Sequence, residues 1–282
     1  MVSRVEAIKS LSDILQSLDF EEREKNNIVR YLLDDLFGKE VNRVFSASEE
    51  EILKKAAERL LAGEPWQYIS GKAHFYGRDF FVNRHVLIPR METEELIHQA
   101  LSVFSGKDKI RVLDIGAGSG VISLTFALSR PFADVTGIDI SEDALVVAET
   151  NQRYFNVTNA RFIQCDFLND KNWQMLGEYD LIISNPPYID RNELAVMSSS
   201  TLAFEPPIAL FTDSNPIEFY QKMIDFVLLR GKETVIMAEI NEFRGNEVKH
   251  VFLKSGFKTV EITKDLQGKD RVVKADFMPG GG

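Results

Sequence analysis

The chain has 282 residues, 44% of them hydrophobic and 27% charged, with a formal net charge of -10. Its length exceeds a typical domain of roughly 150 residues, so two domains and a sizeable core are expected. The acidic balance argues against broad nucleic-acid binding, which usually leaves a basic footprint, and no apolar run approaches the roughly 20 residues of a membrane span.

Cys165 is the only cysteine, so no internal disulfide can form and a reducing compartment fits. His74, His85, His98 and His250 share no metal-ligand spacing with one another or with Cys165, so no metal is expected. The opening stretch MVSRVEAIKSLSDILQSL lacks the continuous apolar core of a signal peptide. A cytoplasmic location is therefore expected.

Taken in order, RVEAIKSLSDILQSL and NNIVRYLLDDLF repeat apolar residues at three- and four-residue spacing, which predicts two helices. A third is predicted over EILKKAAERLLA, capped by Ser48 with Glu51 and stopped by Gly63 and Pro65. Residues 1–71 thus read as a small helical domain without chemistry of its own. The aromatic, β-branched run KAHFYGRDFFVNRHVLIPR has a turn signal at Gly77, which predicts a β-hairpin linking two domains over residues 72–91.

From residue 92 onward, strand and helix patterns alternate. IRVLDIG, DVTGIDI, RFIQCDF, YDLIISN and ETVIMAEI read as strands. ELIHQALSVF, VISLTFALS, ALVVAETNQRYFN, FYQKMIDFVLLR and NEVKHVFLKSG read as helices. This alternation predicts an α/β fold with a mostly parallel, doubly wound sheet over residues 92–282. KTVEIT and DRVVKADF supply two last strands, and the tail PGGG is expected to be mobile.

The first of these strands runs into DIGAGSG, Asp114 to Gly120. Glycine after a strand lets backbone approach a ligand closely and turn sharply into a helix. The spacing is G-x-G-x-G rather than the G-x-G-x-x-G of dinucleotide sites, whose loop cradles a pyrophosphate. S-adenosyl-L-methionine carries no pyrophosphate and fits better. Asp139 ends the second strand, where a carboxylate can take both hydroxyls of a ribose. Asp166 follows the third strand and can accept from an adenine amino group, with Phe167 as an apolar wall.

The fourth strand stops at Asn185-Pro186-Pro187-Tyr188. A planar NH2 group has a delocalised, weakly nucleophilic lone pair. Two acceptors, one per N–H, can hold it with that lone pair aimed at a methyl donor. The Asn185 side-chain oxygen and the Pro186 carbonyl can be those acceptors. Both hydrogen bonds strengthen as the nitrogen gains positive charge, so they lower the barrier instead of only binding substrate. The prolines fix the carbonyl and offer no competing N–H, and Tyr188 can stack on the planar group. Glutamine amide, adenine and guanine amino groups all satisfy this pattern.

Together DIGAGSG, GIDIS, CDF and SNPPYI resemble the class I S-adenosylmethionine-dependent methyltransferases. The segments GEPWQYISGKAHFYGRDFFVNRHVLIPRMETEELI, FEPPIAL and GFKTVEITKDLQGKDR resemble the HemK/PrmC family specifically. Met91 stands where that family often has proline, and Glu239-Ile240-Asn241 replaces its usual Glu-Ile-Gly. The resemblance implies a Rossmann-like class I methyltransferase sheet with an antiparallel strand near the C-terminus. It implies S-adenosyl-L-methionine held by Gly116, Ala117, Gly118, Ser119, Gly120, Asp139, Asp166, Phe167 and Asn185. It implies an activity on the glutamine of the Gly-Gly-Gln motif in class I peptide chain release factors, gripped by Asn185, Pro186, Pro187 and Tyr188. Arg90, Glu92 and Thr93 would stand at the mouth of the active site, and the N-terminal helices would dock the factor. The competing expectation is an amino-group methyltransferase acting on adenine or guanine in RNA or DNA, which the acidic charge disfavours.

Overall fold

A computed structural model describes residues 2–16, 22–107, 109–190, 198–212 and 215–279. The terminal glycines 280–282, expected to be mobile, lie outside the described residues. Three helices open the chain: α1 (Arg4–Leu15), α2 (Glu22–Phe37) and α3 (Ala47–Leu61), with a short α4 (Trp66–Ser70) after them. Leu11, Leu15, Leu32, Leu33, Phe37 and Phe45 form their common core.

Helix α1 starts on a capping box between Ser3 and Glu6. Helix α3 uses the same device at Ser46 and Glu49, two residues before the expected pair of Ser48 and Glu51. Both registers fit the S-x-x-E pattern. Ser46 takes the extended conformation that a cap needs, and Glu49 also pairs with Arg43, which favours the earlier start.

Strands β1 (Lys72–Phe75) and β2 (Arg78–Phe81) pair in antiparallel fashion. Tyr76 and Gly77 between them both have positive φ, the two-residue turn that matches strand twist. Next come α5 (Met91–Val103), β3 (Arg111–Ile115), α6 (Val121–Ser129), β4 (Asp134–Asp139), α7 (Glu142–Tyr154) and β5 (Ala160–Gln164). After a 3-10 turn at Asp170–Met175 come β6 (Leu181–Ser184), β7 (Ile189–Asp190), α8 (Ser199–Phe204), α9 (Pro207–Leu210) and β8 (Phe211–Thr212). The chain closes with α10 (Glu218–Arg230), β9 (Thr234–Glu239), α11 (Gly245–Lys254), β10 (Thr259–Lys264) and β11 (Asp270–Phe277).

Seven strands form the central sheet in the order β10-β11-β9-β6-β3-β4-β5. The run from β9 to β5 is parallel, and β11 is antiparallel to both its neighbours. This is the mostly parallel, doubly wound α/β sheet expected, with its antiparallel C-terminal strand. Both faces are covered, as a parallel sheet requires. In β6, Ile182 points into a cluster with Tyr220, Phe226 and Phe252, while Leu181 and Ile183 point into one with Leu96, Phe126 and Phe80. The hairpin is thus seated in the core of the larger unit through Phe75 and Phe80.

Candidate functional site

Chain order reverses at β3: β4 and β5 lie on one side of it, β6 and β9 on the other. Ligands of open α/β sheets bind outside the carboxyl ends of the strands at such a point. Here those ends surround a cavity of about 520 Å³, lined by Gly116 to Ser119, Asp139, Asp166, Phe167, Asn185, Pro186 and Pro187. The cavity gathers most of the predicted site residues from segments far apart in the chain.

One half is built from the glycine loop. Gly116, Gly118 and Gly120 have φ of +76°, +54° and +80°, conformations that side chains rarely adopt. A Cβ on Gly116 or Gly118 would meet nothing within 4 Å, so the loop leaves open space above it. Gly120 differs: its Cβ would press on Leu124, Phe162 and Ala148 at 3.1–3.2 Å, where the loop turns into α6.

Asp139 ends β4 and holds the loop. Its Oδ2 accepts from Gly118 N at 2.9 Å, and its Oδ1 from Ser141 N at 2.9 Å. Burial raises its pKa, and these N–H groups oppose the rise. Each carboxylate oxygen keeps a further lone pair for a ligand hydroxyl. Asp166 lines the cavity with Oδ1 accepting from Leu168 N at 3.1 Å. Phe167 lines it too, but its ring is 4% exposed and packs against Trp173 and Phe226. The open loop, the half-buried Asp139 carboxylate and the apolar walls fit S-adenosyl-L-methionine.

The other half is built from Asn185 to Tyr188. Asn185 follows β6, and its Nδ2 donates to the Thr93 hydroxyl at 3.1 Å. That turns its amide oxygen away from Thr93. Pro186 is buried, and Pro187 is half-buried. Tyr188 does not line the main cavity. It lines an adjoining one of about 150 Å³ with Leu87, Arg90, Asn185, Pro186 and Thr201. Burial pushes its hydroxyl up to about 12, with the nearby Glu239 acting in the same direction.

Arg90 lines both cavities, and its Nη2 donates to Glu205 Oε1 at 2.6 Å. Glu92 lines neither cavity; its charge acts on Tyr188 and Glu239 from the first turn of α5.

Four buried polar residues frame the site without having been anticipated as members of it. Glu205 accepts from Arg90 and, through Oε2, from Ile88 N at 3.2 Å, which anchors the stretch before α5. Asn151 donates to the Phe81 and Ser119 carbonyls, both at 2.9 Å, and accepts from Phe81 N at 2.7 Å. It therefore joins the hairpin to the glycine loop. Asp114 accepts from Ser123 N and Oγ at 3.0 and 2.5 Å, and burial raises its carboxyl to about 7. Glu239 ends β9, is 1% exposed, and is raised to about 7 by burial against a hydrogen bond from Thr93. For Glu205, Asp114 and Glu239 the signal is an acid inside an otherwise apolar run, such as IMAEI, whereas Asn151 stands among polar neighbours and gives no such signal.

A family profile for the Methyltransferase domain matches residues 106–258. The chain is 38% identical to the Release factor glutamine methyltransferase of Bacillus subtilis, covering 96% of each chain. It is 35% identical to the protein of that name from Lactococcus lactis, covering 95% of this chain and 98% of the relative. Among solved structures, the catalytic domain of hMettl16 in complex with the MAT2A 3'UTR hairpin 6 matches with a TM-score of 0.58 at 13% identity. That match covers 86% of this chain and 87% of the other. A methyltransferase from Pyrococcus furiosus matches with a TM-score of 0.51 at 18% identity, covering 83% of this chain and all of the other. At such identities these structures share the fold alone. Identity across nearly the full length of both chains decides the family: the chain belongs to the release factor glutamine methyltransferases.

Proposed function

We infer that this protein methylates the side-chain amide nitrogen of the glutamine in the Gly-Gly-Gln motif of class I peptide chain release factors. The observation that carries the reading is the Asn185 amide, which gives its N–H to Thr93 and so presents its oxygen as an acceptor beside the Pro186 carbonyl. S-adenosyl-L-methionine, when bound, supplies an electrophilic methyl group. Gly116 to Gly120 and Asp139 hold it over the ends of β3 and β4. Asn185 Oδ1 and Pro186 O accept the two N–H bonds of the glutamine amide and aim its lone pair across the cavity. They bind more strongly as positive charge develops on nitrogen, which is the requirement for rate enhancement. Tyr188 walls the small cavity next to them.

Residues 1–71 form the docking unit in this reading, residues 72–91 the connecting hairpin and 92–282 the catalytic domain. A target flanked by glycines offers little side-chain area, and ordering it costs about 1–2 kcal/mol per residue. Affinity must come from elsewhere. A third cavity, about 290 Å³, is lined by Tyr31 and Trp66 of the helical unit together with Arg90, Thr201 and Glu205. The Tyr31 and Trp66 rings stack with centroids 5.5 Å apart. Arg90 and Thr201 also line the small cavity at Tyr188, so one groove can lead from the helices to the amide clamp.

A net charge of -10 supports a protein partner over a nucleic acid. The free, buried Cys165 fits the reducing cytoplasm, where release factors act. Incubation with labelled methyl donor and, separately, release factor, RNA and DNA tests the reading. Label on the Gly-Gly-Gln glutamine, located by mass spectrometry, is expected. Label on nucleic acid alone would replace this reading with base methylation.

A further inference from the structure

We propose that Glu239 is a positioning residue: acting through the Thr93 hydroxyl, it fixes which way the Asn185 amide faces. The role rests on the glutamine reading above.

Glu239 stands at the end of β9, beside β6, which leads into Asn185. It is 1% exposed, and its Oε1 has no hydrogen-bond partner among the described residues. An acid so deep and so poorly satisfied is destabilising and calls for a functional reason. The charged and titratable groups acting on it are Arg271 of β11 together with Glu92 and Arg90 at the start of α5. Tyr188 and Tyr220 lie near enough for its charge to raise their hydroxyls. After burial itself, the group that acts on it most is the hydroxyl of Thr93, itself 3% exposed.

Thr93 has one hydroxyl proton to give. An ionised carboxylate can only accept, so that proton goes to Glu239. On its other side Thr93 can then only accept, and it does so from Asn185 Nδ2 at 3.1 Å. A flipped Asn185 would set its oxygen against the Thr93 oxygen with no proton between them. The chain of bonds therefore holds Asn185 Oδ1 on the side where the substrate amide must donate. A protonated acid or a glutamine at position 239 has a donor of its own. Thr93 could then turn its proton toward Asn185, and the flipped amide, useless as an acceptor, becomes permitted. Burial holds the Glu239 carboxyl at about 7, so its ionisation falls within a measurable pH range.

The test compares Glu239→Gln, Thr93→Val and Thr93→Ser in the full-length protein with intact release factor. Expected are losses in kcat of about 10- to 100-fold for Glu239→Gln and Thr93→Val, as for a mis-set catalytic hydrogen bond. Affinity for S-adenosyl-L-methionine should stay within about twofold, and Thr93→Ser, which keeps the hydroxyl, should retain most of the activity. In the parent protein kcat should fall as pH drops below about 7, and this limb should vanish in Glu239→Gln.

The Asn185 side-chain NH2 resonances, read by NMR in the free protein, need no substrate. They should shift in both Glu239→Gln and Thr93→Val and stay in place in Thr93→Ser. If the parent protein failed to methylate release factor yet showed this pattern, the substrate reading would fall and the positioning role would stand. Normal kcat with the pH limb intact in Glu239→Gln, or equal loss in Thr93→Ser and Thr93→Val, would overturn the role. If Glu239→Gln did not fold, the Thr93 pair would decide alone.

Discussion

The two halves of the cavity are made in different ways. The glycine half is local: Gly118, in the loop after β3, and Asp139, at the end of the adjacent β4, hold the loop together and are 21 residues apart. The amide half is assembled from afar: Asn185 meets Thr93 across 92 residues, and Arg90 meets Glu205 across 115. In the proposed function, donor binding thus depends on one strand pair keeping its register. Acceptor geometry depends on the whole fold bringing the start of α5, the end of β6 and the α8–α9 segment to one point. This difference predicts which substitutions will touch rate and which will touch affinity.

The largest effect is expected from Asn185→Ala. In the proposed function it removes one of the two acceptors whose bonds strengthen in the transition state, so kcat should fall by about 10²–10³, by analogy with the loss of one oxyanion-hole donor. Single-turnover kinetics will show it. Normal turnover with poor binding would place Asn185 with the affinity group instead. Asp139→Ala should weaken S-adenosyl-L-methionine binding by about 1.5–3 kcal/mol, the value of a hydrogen bond to a charged group. Calorimetry checks this, with circular dichroism confirming the fold. Unchanged affinity would mean that Asp139 serves only to brace Gly118.

Arg90 and Glu205 offer a sharper contrast. The Glu205 side chain is 2% exposed and that of Arg90 37%. Arg90→Ala leaves a buried carboxylate with only the Ile88 N–H, whereas Glu205→Gln leaves a guanidinium that water can reach. Arg90→Ala should therefore cost more stability, by about 1–2 kcal/mol, less than the roughly 3–5 kcal/mol for breaking a fully buried pair because Arg90 is partly exposed. Urea denaturation of both variants will rank them, and the reverse order would contradict the exposure argument. The smallest effect is expected at Ser46→Ala, which removes the α3 cap in a helical unit remote from the cavity. Stability should drop by about 1 kcal/mol with donor affinity unchanged. A change in donor affinity would show that the helices and the glycine loop are coupled.

The local half is also the half that the sequence reveals. Strand and helix periods alternate cleanly from residue 92, and DIGAGSG and Asp139 occupy the strand ends where such motifs belong. Asn185-Pro186-Pro187 is legible because no ordinary turn needs that chemistry. Glu205, Asn151 and Glu239 are not legible in the same way. Glu205 and Glu239 are single polar residues in apolar stretches, Asn151 stands among other polar residues of α7, and the partner of each lies on another element: Asn151 reaches Phe81 across 70 residues. A period of two or 3.6 says which face a residue occupies, not which distant group waits there. The misplaced α3 cap has a simpler cause, since SASEEE, residues 46–51, offers two equivalent registers and a nearby arginine breaks the tie. Short elements such as α8, α9 and β7 carry too few residues for a period to emerge.

Asn151 has a consequence for anyone who wishes to redirect this enzyme. The hairpin strand β2 and the donor loop share one side chain, and both carbonyls that it serves would be left without a donor if it were removed. The molecule's natural cutting point for grafting a foreign recognition module therefore lies upstream of Lys72, at Gly71, whose φ of +73° marks the end of α4. A chimera joined there retains the hairpin as part of the catalytic body. One joined after Phe81 would carry a transferase half that has lost the hairpin strand which Asn151 ties to the glycine loop.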